Sequence, residues 1–131
     1  MPLTLKPESE SYFSQLPPAI PSPGNNSWLG DVLSSEAPKD QIISCGFYKQ
    51  GSGAALTYPY DYEEMKVCVE VHGKFTVSDE TGQTVEVTPG STFYFPKGCT
   101  ITFKVEGTDE VPEAEAYALN WFCGLRPADS A

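Results

Sequence analysis

From residue 41 onward, glycine and proline recur so often that no helix of useful length fits between them. Gly51, Gly53, Pro59, Gly73, Gly82, Pro89-Gly90, Pro96, Gly98 and Gly107 cut the chain into short runs. Those runs are rich in Val, Thr, Ile, Phe and Tyr, the residues that fit a pleated surface. They read as strands over 41–49, 54–58, 65–71, 74–78, 83–87, 91–95, 99–105 and 115–123. Short strands with turn signals at close intervals indicate a sandwich or barrel. No repeat and no long amphipathic helix accompanies them, so the fold class is all-β.

Residues 1–40 are of another kind. Pro17-Pro18, Pro21 and Pro23-Gly24 rule out regular structure and favour an extended, irregular arm. Trp28, Leu29, Val32 and Leu33 follow Ser27 at helical spacing, so one short helical turn is expected there. Tyr12, Phe13, Leu16 and Trp28 are more apolar anchors than a free tail carries. The arm is therefore expected to pack on the 41–131 domain or to cross to a second subunit, and a homodimer is the expected assembly. At 131 residues a second core is not expected.

A net charge of -10 excludes the basic patch that nucleic acids or anionic membranes require. No apolar stretch approaches a membrane span. Met1-Pro2-Leu3-Thr4-Leu5-Lys6 lacks the apolar run of a secretory leader, so a cytoplasmic location is the expectation. Cys45, Cys68, Cys99 and Cys123 show no CxxC spacing and sit in apolar strand-like runs, where packed free thiols are expected.

Gly90-Ser91-Thr92-Phe93-Tyr94-Phe95-Pro96-Lys97-Gly98 resembles the second cupin motif, a glycine, five residues, then Pro-x-Gly. Upstream, Tyr58-Pro59-Tyr60-Asp61-Tyr62-Glu63-Glu64 stands where the first cupin motif belongs. The chain is similar to the cupin branch of the ethanolamine-utilisation protein Q. That resemblance implies a single cupin-type β-barrel, a jelly roll, over 41–131, with its pocket in the barrel mouth. In the family pattern, two histidines, a glutamate and a third histidine hold a metal. Here those positions carry Tyr58, Tyr60, Glu64 and Ile101. A neutral tyrosine is a poor metal ligand and isoleucine is none, so no metal and no other cofactor is expected. The family's first motif closes on a glycine at the position of Val71, whereas here it comes at Gly73. A two-residue extension of the hairpin would keep the same side chains facing inward.

The resemblance thus places Tyr58, Tyr60, Glu64 and Lys66 inside the barrel. Tyr94 or Phe95, Ile101, Phe103, Leu119, Trp121 and Cys123 are expected to face them from other strands. Glu64 is the expected general base, with Tyr58 and Tyr60 as hydrogen-bond donors to a developing oxyanion. Lys66, Tyr94, Ile101, Phe103 and Trp121 are the expected substrate-binding residues. His72, the only histidine, is read as an exposed turn residue. The expected function is a metal-independent lyase, isomerase, dehydratase or cyclase acting on a small carbonyl- or hydroxyl-bearing metabolite. The alternative is a non-catalytic module that binds a small ligand or a protein. Redox chemistry is disfavoured by the lack of a dinucleotide fingerprint.

Overall fold

The computed structural model describes residues 2–131. Among them the strands are β1 (Ser27–Ser34), β2 (Ser44–Gly51), β3 (Leu56–Pro59), β4 (Glu64–His72), β5 (Lys74–Ser78), β6 (Thr84–Val87), β7 (Thr92–Phe95), β8 (Thr100–Glu106) and β9 (Tyr117–Gly124). The only helical pieces described are single 3-10 turns, Glu8–Glu10, Lys39–Gln41 and Glu113–Glu115. A five-stranded sheet in the order β1-β2-β9-β4-β7 faces a four-stranded sheet in the order β3-β8-β5-β6. Every strand pairing is antiparallel, and the two layers form the expected jelly roll. No helix among the described residues is long and apolar enough to cross a membrane.

Period-two alternation builds the core. Tyr48 on β2, Phe75 and Val77 on β5, Ile101, Phe103 and Val105 on β8, and Phe122 on β9 all point between the sheets and are buried. Each such aromatic or aliphatic side chain removed from water contributes roughly 1.5–3 kcal/mol. The four cysteines are free thiols.

The glycine turns of the cupin motif place the site. Gly98, with φ +99, ends the Pro96-Lys97-Gly98 turn in a backbone conformation that favours glycine. Its N–H donates to the Tyr60 carbonyl at 2.8 Å, while the Tyr60 N–H donates to the Cys99 carbonyl at 2.9 Å. The second motif thereby holds the backbone of the first. In β4 the pairing with β9 shifts between Cys68 and Glu70, a bulge with one extra residue on β4. It lies beyond Glu64 and Lys66, so both keep the inward parity.

The helical turn expected around residues 28–33 is not formed: those residues are β1, paired with β2 from Ser27 opposite Gln50 to Ser34 opposite Ser44. Regular structure therefore begins inside the segment expected to be irregular. The prolines ahead of it lie along its free edge. The Leu29 N–H donates to the Pro18 carbonyl at 2.9 Å and the Ile20 N–H to the Ser27 carbonyl at 3.1 Å. Because proline has no N–H, this cover satisfies β1 without offering a further pairing edge. Tyr12 lies against Gly30, and the Phe13 ring meets Phe47 with centroids 5.9 Å apart. Within the single chain, the arm's Tyr12 and Phe13 therefore lie against β1 and β2.

β1 and β2 approach closely at Gly46, where an added Cβ would collide with the Gly30 carbonyl and the Asp31 Cα. Gly82, with φ +90, has open space around it. Gly46→Ala is expected to destabilise by about 3 kcal/mol or more through forced backbone separation. Gly82→Ala should cost about 1 kcal/mol of backbone strain. Urea unfolding of both variants checks the order, and an equal loss would contradict the packing described.

Candidate functional site

Glu64 opens β4 and points into the barrel with 4% of its surface exposed. Two residues on, Lys66 shares the same inward face and is equally buried, at 4%. Its Nζ lies 3.3 Å from Glu64 Oε2. The Tyr60 hydroxyl donates to that same oxygen at 2.6 Å. One carboxylate oxygen is thus shared by an ammonium and a phenol, away from bulk water.

Aromatic rings enclose this group. Lys66 Nζ stands 4.4 Å from the ring centroid of Tyr48 and 4.6 Å from that of Phe103, with Phe95 and Phe122 at 5.8 and 5.9 Å. Ring faces attract a cation but accept its protons poorly. Burial lowers the Lys66 pKa below the ordinary lysine value, and the Glu64 charge works against that shift. Burial, then the charge of Glu64 and its hydrogen bond, push the Tyr60 phenol well above its ordinary value. Tyr60 therefore stays a proton donor at neutral pH.

The mouth above is tyrosine-rich. Tyr58 lies at the end of β3 and Tyr62 just ahead of β4, and the Tyr62 hydroxyl donates to that of Tyr58 at 3.3 Å. The rings of Tyr58, Tyr60 and Tyr62 pack edge to face at 4.7 and 5.4 Å. On the crossing from β3 to β4 these alternate residues turn inward, while Pro59, Asp61 and Glu63 between and after them are exposed. A cavity of about 30 Å³ lies among Tyr58, Tyr60, Tyr62, Glu64, Lys66 and Phe103, with Ile20, Leu29 and Ala131 also lining it. Tyr62 also borders a wider groove of about 650 Å³ that includes Lys97 and Arg126.

Arg126 ties the segment after β9 to β1. It donates to both oxygens of Asp31 on β1, at 2.9 and 3.0 Å, and the Asp129 N–H donates to Asp31 at 2.6 Å. Its guanidinium lies 5.3 Å from the Tyr62 and Phe122 rings. The last residues of the chain are thereby tied to β1 at the cavity.

The structure brings Tyr58, Tyr60, Glu64, Lys66 and Phe103 together at this cavity. It corrects the placement of the others. Tyr94 is 54% exposed on the outer side of β7, its hydroxyl donating to Glu63, while its neighbour Phe95 points inward. Trp121 is 37% exposed on the outer face of β9, with Leu119 and Cys123 on that same face. The inward residues of β9 are Ala118, Asn120, Phe122 and Gly124. Ile101 is buried, but it borders a different cavity, with Val77, Phe93 and Phe95. His72, at the far end of β4, is exposed and stacks on Tyr117 with ring centroids 4.6 Å apart.

Tyr62, Tyr48, Gln50, Asp31 and Arg126 were not expected here. Tyr62 continues the Tyr58, Tyr60 alternation and was legible in that pattern. Tyr48 donates to Gln50 on the wall behind Lys66, and nothing in its own run sets it apart. Arg126, the only arginine, lies beyond the last strand, and its Asp31 partner is 95 residues away in the chain.

A cupin metal would need the positions of Tyr58, Tyr60, Glu64 and Ile101, and this donor set does not fit one. Glu64 is the sole carboxylate among them, Tyr60 donates a proton to it, and an ammonium stands beside it. No group of three or more His, Cys, Asp or Glu among the described residues is arranged to hold an ion.

A family model for the EutQ-like cupin domain matches residues 40–113. The chain belongs to that family. No curated protein matches it. Its fold is shared with EutQ from Clostridium difficile, at 17% identity and TM-score 0.58 over 85% of this chain and 77% of that one. A Rhizobium leguminosarum bv. viciae 3841 protein of unknown function matches at 19% identity and TM-score 0.65, over 95% and 97% of the two chains. The DMSP lyase DddQ from Ruegeria pomeroyi DSS-3 shares the fold at 13% identity and TM-score 0.57, over 82% of this chain and 50% of that one.

A buried ion pair is fragile when halved. Lys66→Met leaves Glu64 charged and unpaired, and should cost about 3–5 kcal/mol. The double variant Glu64→Gln with Lys66→Met removes both charges and should recover most of that loss. The linkage adds a pH test. Because the folded Lys66 pKa is depressed, the unfolded chain binds the extra proton between the folded value and the ordinary lysine value. Wild-type stability should gain a contribution from Lys66 as pH rises through that window, and the double variant should lack it. Urea unfolding at several pH values measures both effects.

Proposed function

We propose that this EutQ-like cupin is a metal-independent enzyme of the lyase, isomerase, dehydratase or cyclase type. Its substrate would be a small metabolite bearing a carbonyl or hydroxyl group. The carrying observation is the Glu64 carboxylate, buried in the barrel with Tyr60 and Lys66 on one of its oxygens. A carboxylate and an ammonium are costly to bury, and chemistry at the site would account for keeping them.

In this reading Glu64 takes a proton from the substrate carbon or hydroxyl, and the Lys66 charge lowers the cost of what develops beside it. Tyr58 and Tyr62 meet the substrate oxygen at the mouth, and Tyr60 returns a proton to the departing or rearranged group. The raised phenol pKa values, caused first by burial, keep these hydroxyls protonated. The fold shared with a DMSP lyase agrees with elimination chemistry without specifying it.

One observation favours a second reading, a module that binds a small ligand or a protein without turnover. The cavity of about 30 Å³ is little larger than one water's share of the liquid, and the chain's own aromatics fill the rest. Catalysis on anything larger than water then requires the residues lining the cavity to move apart.

Under the enzymatic reading, Glu64→Gln should lower turnover by ~10²–10⁴-fold. Tyr60→Phe should lower it by less, since the ring still packs. Chelator treatment should leave turnover unchanged, and elemental analysis of untagged protein should find no stoichiometric transition metal. Full activity in Glu64→Gln, or activity lost to the chelator and restored by a metal, would overturn the proposal.

A further inference from the structure

The acid/base reading uses Glu64 and the tyrosines and leaves Lys66 as a neighbouring charge, yet its surroundings are those of a reactive amine. We propose that Lys66 is a covalent nucleophile that forms a Schiff base with a small aldehyde or ketone. This rests on the barrel mouth being a catalytic site and specifies its substrate class.

Three geometric facts support it. Lys66 lines the cavity, so a small carbonyl compound admitted as the cavity widens meets its side chain. The ring faces of Tyr48, Phe95, Phe103 and Phe122 accept protons poorly, and Glu64 Oε2 stands 3.3 Å away as a proton acceptor. Tyr60 donates to that same oxygen, so a proton placed on Glu64 has a hydroxyl next to it. The lowered Lys66 pKa, caused first by burial, works in the same direction by favouring the free amine.

The step balances without an outside reagent. The Lys66 ammonium gives a proton to Glu64, and the freed lone pair forms the C–N bond while the carbonyl π pair moves to oxygen. Transfer of a proton from nitrogen to that oxygen gives the neutral carbinolamine. Glu64 then protonates the hydroxyl, water leaves with the C–O bonding pair, and nitrogen's lone pair closes the iminium. Lysine ammonium and carbonyl have become iminium and water, and Glu64 is again ionised beside a positive charge. The ion pair is thus present at the start and at the end, and at the carbinolamine stage between them Glu64 is protonated and both partners are neutral. An iminium is the electron sink that elimination, decarboxylation or isomerisation next to a carbonyl requires.

The test is reductive trapping on the full chain. Acetaldehyde and, in parallel, the smaller formaldehyde are added with cyanoborohydride at about pH 6.5, where an exposed lysine of pKa ~10.4 is neutral in only about one molecule in 10⁴. Peptide mass mapping then ranks the lysines by rate of alkylation. The proposal expects Lys66 to be alkylated at least tenfold faster than exposed Lys39, Lys74 and Lys97. It also expects trapping at Lys66 to slow at least tenfold in Glu64→Gln, which removes the acid for loss of water. Ranking the lysines within the wild type needs no variant to fold. If Lys66 stays unmodified by both aldehydes while the exposed lysines react, the proposal is overturned. Failure of trapping, with turnover still lost in Glu64→Gln, would sink the covalent step and leave the acid/base reading standing. Trapping at Lys66 with turnover intact in Glu64→Gln would do the reverse.

Discussion

A carboxylate and an ammonium 3.3 Å apart inside a ring of aromatic side chains set the terms for the rest of this barrel. Each charge alone would be intolerable there, since removing an ion from water costs several kcal/mol even after relaxation. Together they need close geometry, a hydrogen bond to the carboxylate and shelter for the ammonium. Tyr60 supplies the hydrogen bond, and the faces of Tyr48 and Phe103 supply the shelter. The Pro96-Lys97-Gly98 turn fixes Tyr60 through two backbone hydrogen bonds, so the motif that defines the fold also holds the charged pair in place. Where a metal-bearing cupin gathers neutral and anionic donors around a cation from solution, this chain carries the cation on its own strand.

Two residues from outside the strands also line the cavity beside this pair. Ile20 comes from the proline-rich segment on the free edge of β1, and Ala131 from the segment tied to Asp31 by Arg126 and Asp129. Neither belongs to the family's motifs. Both are held by a few polar contacts at the edge of a sheet instead of by core packing, and local opening draws on such regions. That part of the cavity wall is thus less firmly held than the strands behind it.

The barrel was legible from its turns. Glycine and proline set the limits of β4 to β8 within one or two residues, because positive-φ turns such as those at Gly73 and Gly98 constrain sequence locally. β1 was not legible, since Trp28, Leu29, Val32 and Leu33 fit a helical stripe as well as a strand. Only pairing with β2, which no local pattern reports, decides between them. The parity of β9 failed for a related reason. Trp121 and Cys123 on its outer face are as apolar as Ala118 and Phe122 on its inner face, so alternation carries no sign. In the site, Glu64 and Lys66 were placed correctly because they share a parity on β4 and lie ahead of its bulge. The Asp31–Arg126 clamp joins positions 95 residues apart and leaves no trace in either segment.

The central claim is that Glu64 and Lys66 form one buried proton-sharing unit in the place of a metal. Nitrogen NMR of protein labelled at lysine Nζ, titrated from neutral to alkaline pH, tests it most directly. The account predicts a Lys66 resonance that loses its proton at lower pH than the exposed lysines and moves in neutral solution when Glu64 is changed to Gln. A Lys66 signal that titrates together with the exposed lysines and ignores the change at Glu64 would contradict it.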